Sequence, residues 1–492
     1  MKFLLCISQR YLKKNFKMKN IFYLLLSLFF ISRFFFLADY PHFYDSPEYF
    51  RESISGNFFQ SLISSHEAVH PVWLFLTQMF QKITPANNVW EISLVSAIFG
   101  LFSFLIFYFL VKRLFSEKIA LLSLVPLIFF PHLWLIQTNV LHESLDSCLF
   151  LLGLLFFVVF LEKKKIVFFF STLIFLSLAI FDFLGILIWS PVLIGLAVLK
   201  TKEKVFKNIA WSVFAIIISS TLVVFGLYKI LSVVLPEPLE RLRLLIFDYG
   251  GGGIFTDWNF LDILRMLRND FLILLNGYSL VAILGGFLGI LYLLKQKKYR
   301  VFIFILSFIA PFILTGKFWY GGLFGRYSIL VAYPLALLLA LFPFRKIYWV
   351  LMFILFFSFL PTFIAYQKTP ISEIQRNLIK QINLNEDDLL ILSDYQRPQL
   401  PYSNAIFING DKKNQEILEN NIEKRLLEDK KIFISQQAVD FPYWQYDGQQ
   451  IHVISKGNKG KAQLKKFLED KKLILVAEDK NYPLLKIYRI NI

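Results

Sequence analysis

The residues of this chain that could do chemistry are few, and they sit in short polar stretches between long apolar runs. The first stretch, ADYPHFYDSPEYFRES (38–53), places Asp45 just before Ser46 and Pro47, a helix start with the hydroxyl as N-cap and proline at the first helical position. A helix beginning there holds Asp45 at its mouth as a general base, or, together with Glu48, simply as a complement to the helix dipole. The second stretch, SSHEAVHPVW (64–73), contains His66-Glu67-x-x-His70, which on one helix face gives two zinc ligands and a base, as in a zinc metalloprotease. Pro71 directly follows His70 and disfavours helix at the second ligand, so His70-Pro71 reads better as the cap of the next element. The third, QTNVLHESLDSC (137–148), sets Glu143 and Asp146 three apart on one face of a helix N-terminus, where dipole complementation also accounts for them.

Cations complete the inventory. In GKFWYGGLFGRYSILVAYP (316–334), Lys317 and Arg326 flank a glycine-rich aromatic turn, and Tyr327 follows. An arginine there can hold a phosphate through two parallel hydrogen bonds, or snorkel to a lipid headgroup. Arg33 lies within an apolar run, where a charge costs about 2.5–3.5 kcal/mol and calls for an acidic or phosphate partner; nearness to the end of the run also allows snorkelling. The glycine run in YGGGGIFTDW (249–258) offers a lid pivot or a plain flexible link.

The elements that must carry these residues follow from composition. Hydrophobic residues make up 57% of the 492, and Phe alone contributes 57 residues, in runs that are apolar on every side. Such runs belong in lipid. We place spans near 21–38, 89–111, 119–137, 145–161, 166–181, 183–199, 209–234, 271–294, 301–315, 327–342 and 347–365, about eleven in all. The net charge of +17 is not that of a nucleic-acid binder, because Lys and Arg cluster between spans: the tail 1–20, Lys112-Arg113, Lys163 to Lys165, Lys200 to Lys207, Lys295 to Arg300 and Arg345-Lys346. With that spacing every cluster falls on one side, the cytoplasm, with the N-terminus inside. The first run lacks a small-residue cleavage site and is expected as a retained helix rather than a signal peptide. Exterior segments are then 39–88, 138–144, 235–270, 316–326 and everything after about residue 366. Strand-like runs there (Leu389 to Leu392, Ala405 to Ile408, Ile432 to Ser435, Ile451 to Ile454, Leu473 to Val476, Leu484 to Ile487) alternate with charged helical stretches. They predict an extracytoplasmic α/β domain over 366–492, roughly 120 residues, behind a helical polytopic membrane domain over 21–365. The two cysteines, Cys6 and Cys148, make neither a disulfide framework nor a thiolate metal site.

The order of these features is itself informative: an Asp in the first exterior loop (YDSPEY), an HP-aromatic start to the next segment (HPVWLFL), an acidic motif opening a helix (HESLDS), and Arg-Tyr before a proline-containing span (GRYSILVAYP). This pattern resembles the GT-C glycosyltransferases, particularly the group of protein O-mannosyltransferases and lipid A aminoarabinose transferases, over roughly residues 20–365. The resemblance implies an inverting transfer of a hexosyl or pentosyl group from a polyprenyl-phosphate donor to an exterior lipid, glycan or protein acceptor, in the plasma membrane; some members of the superfamily use a divalent metal, while the matching group generally works without a cofactor. Asp45 matches the first-loop carboxylate and would act as base; Glu143 or Asp146 matches the second acidic motif. Arg326, with Lys317 and Tyr327, would hold the lipid phosphate, and Glu48, His70 and Arg33 join the substrate-binding set. Two departures bear on the acceptor class more than on the fold: Ser46 follows Asp45 where the group often has Glu, and Val72 stands where a second proline is usual. A transporter or flippase of lipid-linked glycans is the competing class; it would favour internal repeats and ionisable residues near the bilayer midplane, where Asp182 is the candidate.

Overall fold

In lipid an apolar backbone can satisfy its N–H and C=O groups only internally, so the long apolar runs fold as helices. The structure is a computed structural model and describes residues 2–38, 46–64, 70–84, 88–200, 204–234, 237–244, 260–315, 326–367, 371–385, 387–393, 405–408, 412–440, 442–446, 451–455, 466–480 and 485–491. The helices run α1 (Lys2–Phe34), α2 (Ser46–Ile54), α3 (Phe58–Ser64), α4 (Pro71–Ile83), α5 (Val89–Leu114), α6 (Glu117–Phe129), α7 (Pro131–Thr138), α8 (Glu143–Lys163) and α9 (Ile166–Asp182). After a 3-10 turn (Leu184–Trp189) come α10 (Val192–Lys200), α11 (Val205–Val234), α12 (Pro238–Leu244), α13 (Phe260–Lys295) and α14 (Tyr299–Thr315). A second 3-10 turn (Arg326–Val331) leads into α15 (Ala332–Leu341) and α16 (Arg345–Gln367).

Each expected span coincides with one helix or with consecutive helical pieces. Among the described residues, four helices are long and apolar enough to cross a membrane: α5, α8, most of α11, and α13 from Gly277 onward. The bent pair α6–α7 makes a fifth if it counts as one span. The chain is a multi-pass membrane protein. Burial separates the roles of its spans. The apolar window of α8 is 83% buried and that of α11 only 22%, so α8 is a core helix while α11 offers its surface to lipid.

The 119–137 run does not form a straight span: α6 and α7 meet at 71°. The cause is Pro131, the first residue of α7, with Phe130 before it held in an extended conformation (φ −71°, ψ 115°). Pro131 has no N–H to give the carbonyl of Leu127, four residues back. Arg33 supplies the missing donor from α1: its guanidinium donates to Leu127 O (3.0 Å) and Ile128 O (2.8 Å), and through Nε to Gln137 Oε1 (3.1 Å). The ring of Phe29 lies 4.4 Å from the guanidinium carbon, and Trp134 Nε1 donates to the carbonyl of Ser32. The bend and α1 are therefore locked together.

The basic helix ends also meet. Glu162, near the C-terminus of α8, pairs with Arg113 of α5 and Lys200 of α10, both at 2.7 Å. Three of the clusters expected on one side of the membrane thus share one end of the bundle. Glu143 opens the same 21-residue α8, so it lies roughly 28 Å from Glu162 at a 1.5 Å rise per residue. That is about the thickness of a hydrocarbon core.

Cα packing divides the chain into two compact units: 1–37, 57–77 and 93–362 in one, and 38–56, 78–92 and 363–492 in the other. The second therefore takes in parts of the first long loop as well as the C-terminal segment. It contains a five-stranded sheet in the order β2 (Ala405–Ile408), β1 (Leu389–Ser393), β3 (Ile432–Ser435), β7 (Lys486–Asn491), β6 (Lys472–Glu478). β1 is parallel to both β2 and β3, and β7 is antiparallel to β3 and β6. Alternation along β1 feeds two cores. Leu390 and Leu392 pack with Leu378 and Ile379 of the helix Ile371–Gln381, and Leu389 and Ile391 with Leu418 and Ile422 of the helix Lys412–Leu427. A separate hairpin joins β4 (Pro442–Tyr446) to β5 (Ile451–Ser455).

Candidate active site at the head of helix α8

Three chain segments converge where α8 begins. The first is the turn into α8. Ser96 of α5 fastens it from both sides, donating to Leu141 O (3.0 Å) and accepting from Leu141 N (3.3 Å). His142 then starts the helix, its carbonyl accepting from Leu145 N and Asp146 N. The second is the start of α4, where His70 precedes Pro71 and accepts the N–H of Leu74 at its carbonyl. The third is the end of α9, where Asp182 is followed by Phe183 in an extended conformation.

Asp182 ties two of these segments together. Its Oδ1 accepts the Trp73 N–H (2.8 Å), so a carboxylate from α9 satisfies one of the exposed donors at the N-terminus of α4. Its backbone carbonyl lies 2.8 Å from His70 Nδ1. A carbonyl only accepts, so His70 carries its proton on Nδ1 and its lone pair on Nε2. His142 is oriented in the same manner: Nδ1 is 2.7 Å from Asp146 Oδ2, one turn along α8. The two imidazoles stack with centroids 3.5 Å apart and planes at 24°. Phe183 closes over them, its ring 6.1 Å from that of His70 and 5.7 Å from that of His142.

Carboxylates crowd this pair of rings. Glu143 Oε1 lies 3.6 Å from His142 Nε2, and the carboxyl groups of Asp146 and Asp182 lie within hydrogen-bonding reach of each other. His142, Glu143, Asp146 and Asp182 are at most 2% exposed, and His70 is 6% exposed. No N–H or O–H reaches Asp146 Oδ1 or Asp182 Oδ2. Two carboxyl groups this close and out of water are not both left ionised without a compensating proton or cation. One potential ligand atom from each of His70, His142 and Asp182 lies within 4.8 Å of the others.

Of the residues expected from sequence to act, the structure brings His70, Glu143 and Asp146 together. It adds His142, a neighbour within the quoted HESLDS motif, and Asp182, which the sequence offered only to a transporter. Their common signal was an ionisable side chain at the end of an apolar run, and nothing local pairs them. Arg33 belongs elsewhere. An acidic or phosphate partner was expected, and the guanidinium instead donates to Gln137, to Ser32 Oγ (2.7 Å) and to the carbonyls that Pro131 leaves open. Asp45, His66, Glu67 and Lys317 lie outside the described residues, as do the side chains of Glu48, Arg326 and Tyr327; the backbone of Arg326 and Tyr327 opens the second 3-10 turn.

Residues 68–228 match the sequence profile of the family described as dolichyl-phosphate-mannose-protein mannosyltransferase. The chain is similar in structure to ArnT from Cupriavidus metallidurans bound to undecaprenyl phosphate, with a TM-score of 0.60, 11% identity, and coverage of 95% of this chain and 97% of ArnT. The fold is that of the GT-C glycosyltransferases. ArnT in the apo state gives a TM-score of 0.58 at 11% identity, covering 97% of this chain and 98% of ArnT. The oligosaccharyltransferase of Archaeoglobus fulgidus in complex with Zn and sulfate gives 0.50 at 14% identity, covering 86% and 68%. No curated protein sequence matches the chain. His70, His142, Glu143, Asp146 and Asp182 all fall inside the matched segment 68–228.

Proposed function

We propose that the chain is a membrane glycosyltransferase that moves a sugar from a polyprenyl-phosphate donor to an acceptor on the extracytoplasmic face. The observation that carries the reading is the buried acid–imidazole cluster at the head of α8, in a GT-C fold whose similar structure, ArnT, is bound to undecaprenyl phosphate. Basic helix ends gather at Glu162, and the cluster lies about one hydrocarbon thickness away along α8. By the bias of Lys and Arg toward the cytoplasm, the cluster then faces the exterior leaflet, with the segment after residue 366 on the same side.

In the reaction an acceptor hydroxyl loses its proton to a carboxylate and its oxygen attacks the anomeric carbon. The bond from that carbon to the phosphate oxygen breaks, and polyprenyl phosphate leaves with the bonding pair. Attack opposite the leaving group inverts the anomeric centre. Asp45 is our candidate base, because a hydroxyl is a poor nucleophile until a nearby base takes its proton. Glu143 or Asp146 orients the acceptor or the sugar, and His70 borders the same space. Arg326, with Lys317, Tyr327 and Glu48, is assigned to the donor; its guanidinium can offer two parallel hydrogen bonds to the phosphate and stabilise the charge that develops there. The acceptor is a lipid, glycan or protein. Turnover of a panel of synthetic polyprenyl-phosphate sugars tests the assignment. Loss of transfer in both Asp45→Asn and Arg326→Ala, with folding intact, supports it. Turnover indifferent to both substitutions refutes the site.

A further inference from the structure

We infer that Lys164, Lys204 and Lys207, at the Glu162 end of the bundle, form a binding site for the phosphate of an anionic glycerophospholipid. The argument starts from where the cations at this end find negative charge. Lys112 pairs with Glu117 (3.1 Å), and Arg113 and Lys200 share Glu162, both at 2.7 Å. Among the described residues, Lys163, Lys164, Lys165, Lys204 and Lys207 make no ion pair. Lys202 and Glu203 lie outside the described residues and cancel in formal charge, so the charge of these five stays uncompensated.

The end of α8 and the start of α11 bring three of the five together. Lys164 follows α8 in a left-handed conformation (φ 54°), and its amine reaches across to α11, donating to Asn208 Oδ1 (3.2 Å). Lys204 is fixed in the same turn, its carbonyl accepting the Asn208 N–H (3.1 Å). A neutral amide does not balance three cations. Burial, and then the charges of Lys207 and Lys204, hold the Lys164 amine below its ordinary pKa, so an anion here relieves a repulsion that the described residues leave standing. The buried Asn208 amide also leaves its Nδ2 without an acceptor, and this corner is therefore short of acceptors as well as of negative charge.

What marks the anion as a lipid is the surface around it. Phe206, between Lys204 and Lys207, is 90% exposed. Val167 and Phe170 of α9 and Phe214 and Ile217 of α11 are exposed as well, on two helices packed through the rings of Phe169 and Trp211 (centroids 4.8 Å apart). A soluble anion gains nothing from that apolar surface. A phospholipid meets both features, its phosphate at the amines and its acyl chains along α9 and α11, and basic residues just cytoplasmic of a span are where anionic headgroups are held. The site lies at the opposite end of α8 from Glu143 and does not require the transferase reading.

The test uses the full chain in a non-ionic detergent, titrated with phosphatidylglycerol, with phosphatidylcholine and with inorganic phosphate. Bound lipid is counted by native mass spectrometry, and the melting midpoint is followed in parallel. The wild type is expected to bind phosphatidylglycerol at least about tenfold more tightly than phosphatidylcholine and to melt higher with it. Each lysine near a headgroup is worth about fivefold, so Lys164→Gln, Lys204→Gln and Lys207→Gln together should weaken phosphatidylglycerol binding about 100-fold. Lys295→Gln, Lys297→Gln and Lys298→Gln together remove the same charge from the end of α13 and should leave it within about twofold. Four results overturn the site: equal binding of the two lipids, unchanged binding in the first triple variant, an equal loss in both triple variants, or millimolar inorganic phosphate that displaces the lipid. The third would make the attraction one of net charge, and the fourth would make the occupant a soluble phosphate. Should the first triple variant not fold, Lys204→Gln with Lys207→Gln, both at exposed positions, is read by the same titration, and unchanged binding in it is equally fatal.

Discussion

Replacing Arg33 by Met separates a structural brace from a substrate ligand. The guanidinium is 0% exposed and donates to the carbonyls of Leu127 and Ile128 and to Gln137 Oε1. Methionine fills much of the same volume and leaves those three acceptors without that donor. A buried acceptor left unmade costs about 1–3 kcal/mol. Removing a buried charge returns part of that sum as relieved desolvation. The net loss we expect is about 2–4 kcal/mol. At roughly 2–4 °C per kcal/mol for a large domain, the unfolding midpoint of the full chain in detergent should fall by about 4–16 °C. Arg33→Lys should lie between the two, because a compact ammonium cannot reproduce the planar fork that meets acceptors from two helices. A variant that melts with the wild type but no longer binds a polyprenyl-phosphate donor would refute the reasoning and return Arg33 to the substrate site.

Two further perturbations probe the bundle. In Gly185→Ala the added Cβ would come within 2.3 Å of the Phe183 ring, so the ring must leave its place over His70 and His142; we expect a stability loss of about 1–3 kcal/mol by melting and a turnover at least about tenfold lower. Unchanged turnover would remove Phe183 from any role at the cluster. Glu162→Gln breaks the pairs to Arg113 and Lys200, whose side chains are 41% and 24% exposed, and should shift stability by under about 1 kcal/mol; a larger loss would mean that this end of the bundle is drier than the structure has it.

How much of this was legible beforehand depended on range along the chain. Runs of apolar residues near membrane thickness announce helices, although the expected spans 119–137, 183–199 and 327–342 are each built of two helical pieces. The acid pair of α8 was legible too, because Glu143 and Asp146 share a face at a helix start. The runs expected as strands reappear as β1, β2, β3, β5 and β6, while β7 lies at Lys486–Asn491 and β4 was not anticipated. The bend at Phe130-Pro131 falls inside the single span expected over 119–137, because hydropathy alone does not show which carbonyl a proline orphans. The answer for Leu127 is Arg33, 94 residues away. The pairing of His70 with Asp182 spans 112 residues. No periodicity or motif spacing reports a contact of that kind; it exists only once α4, α8 and α9 have packed.

The claim at the centre of this account is that the carboxylates at the head of α8 belong to a sugar-transfer site. We would reconstitute wild type and Asp146→Asn in liposomes with an α-linked and a β-linked polyprenyl-phosphate sugar, and follow release of the lipid phosphate together with the anomeric configuration of the product. The account predicts turnover of one donor with inversion, falling by about 100-fold or more in Asp146→Asn while its melting stays near that of the wild type. Transfer with retained configuration, or Asp146→Asn turning over at the wild-type rate, would contradict it.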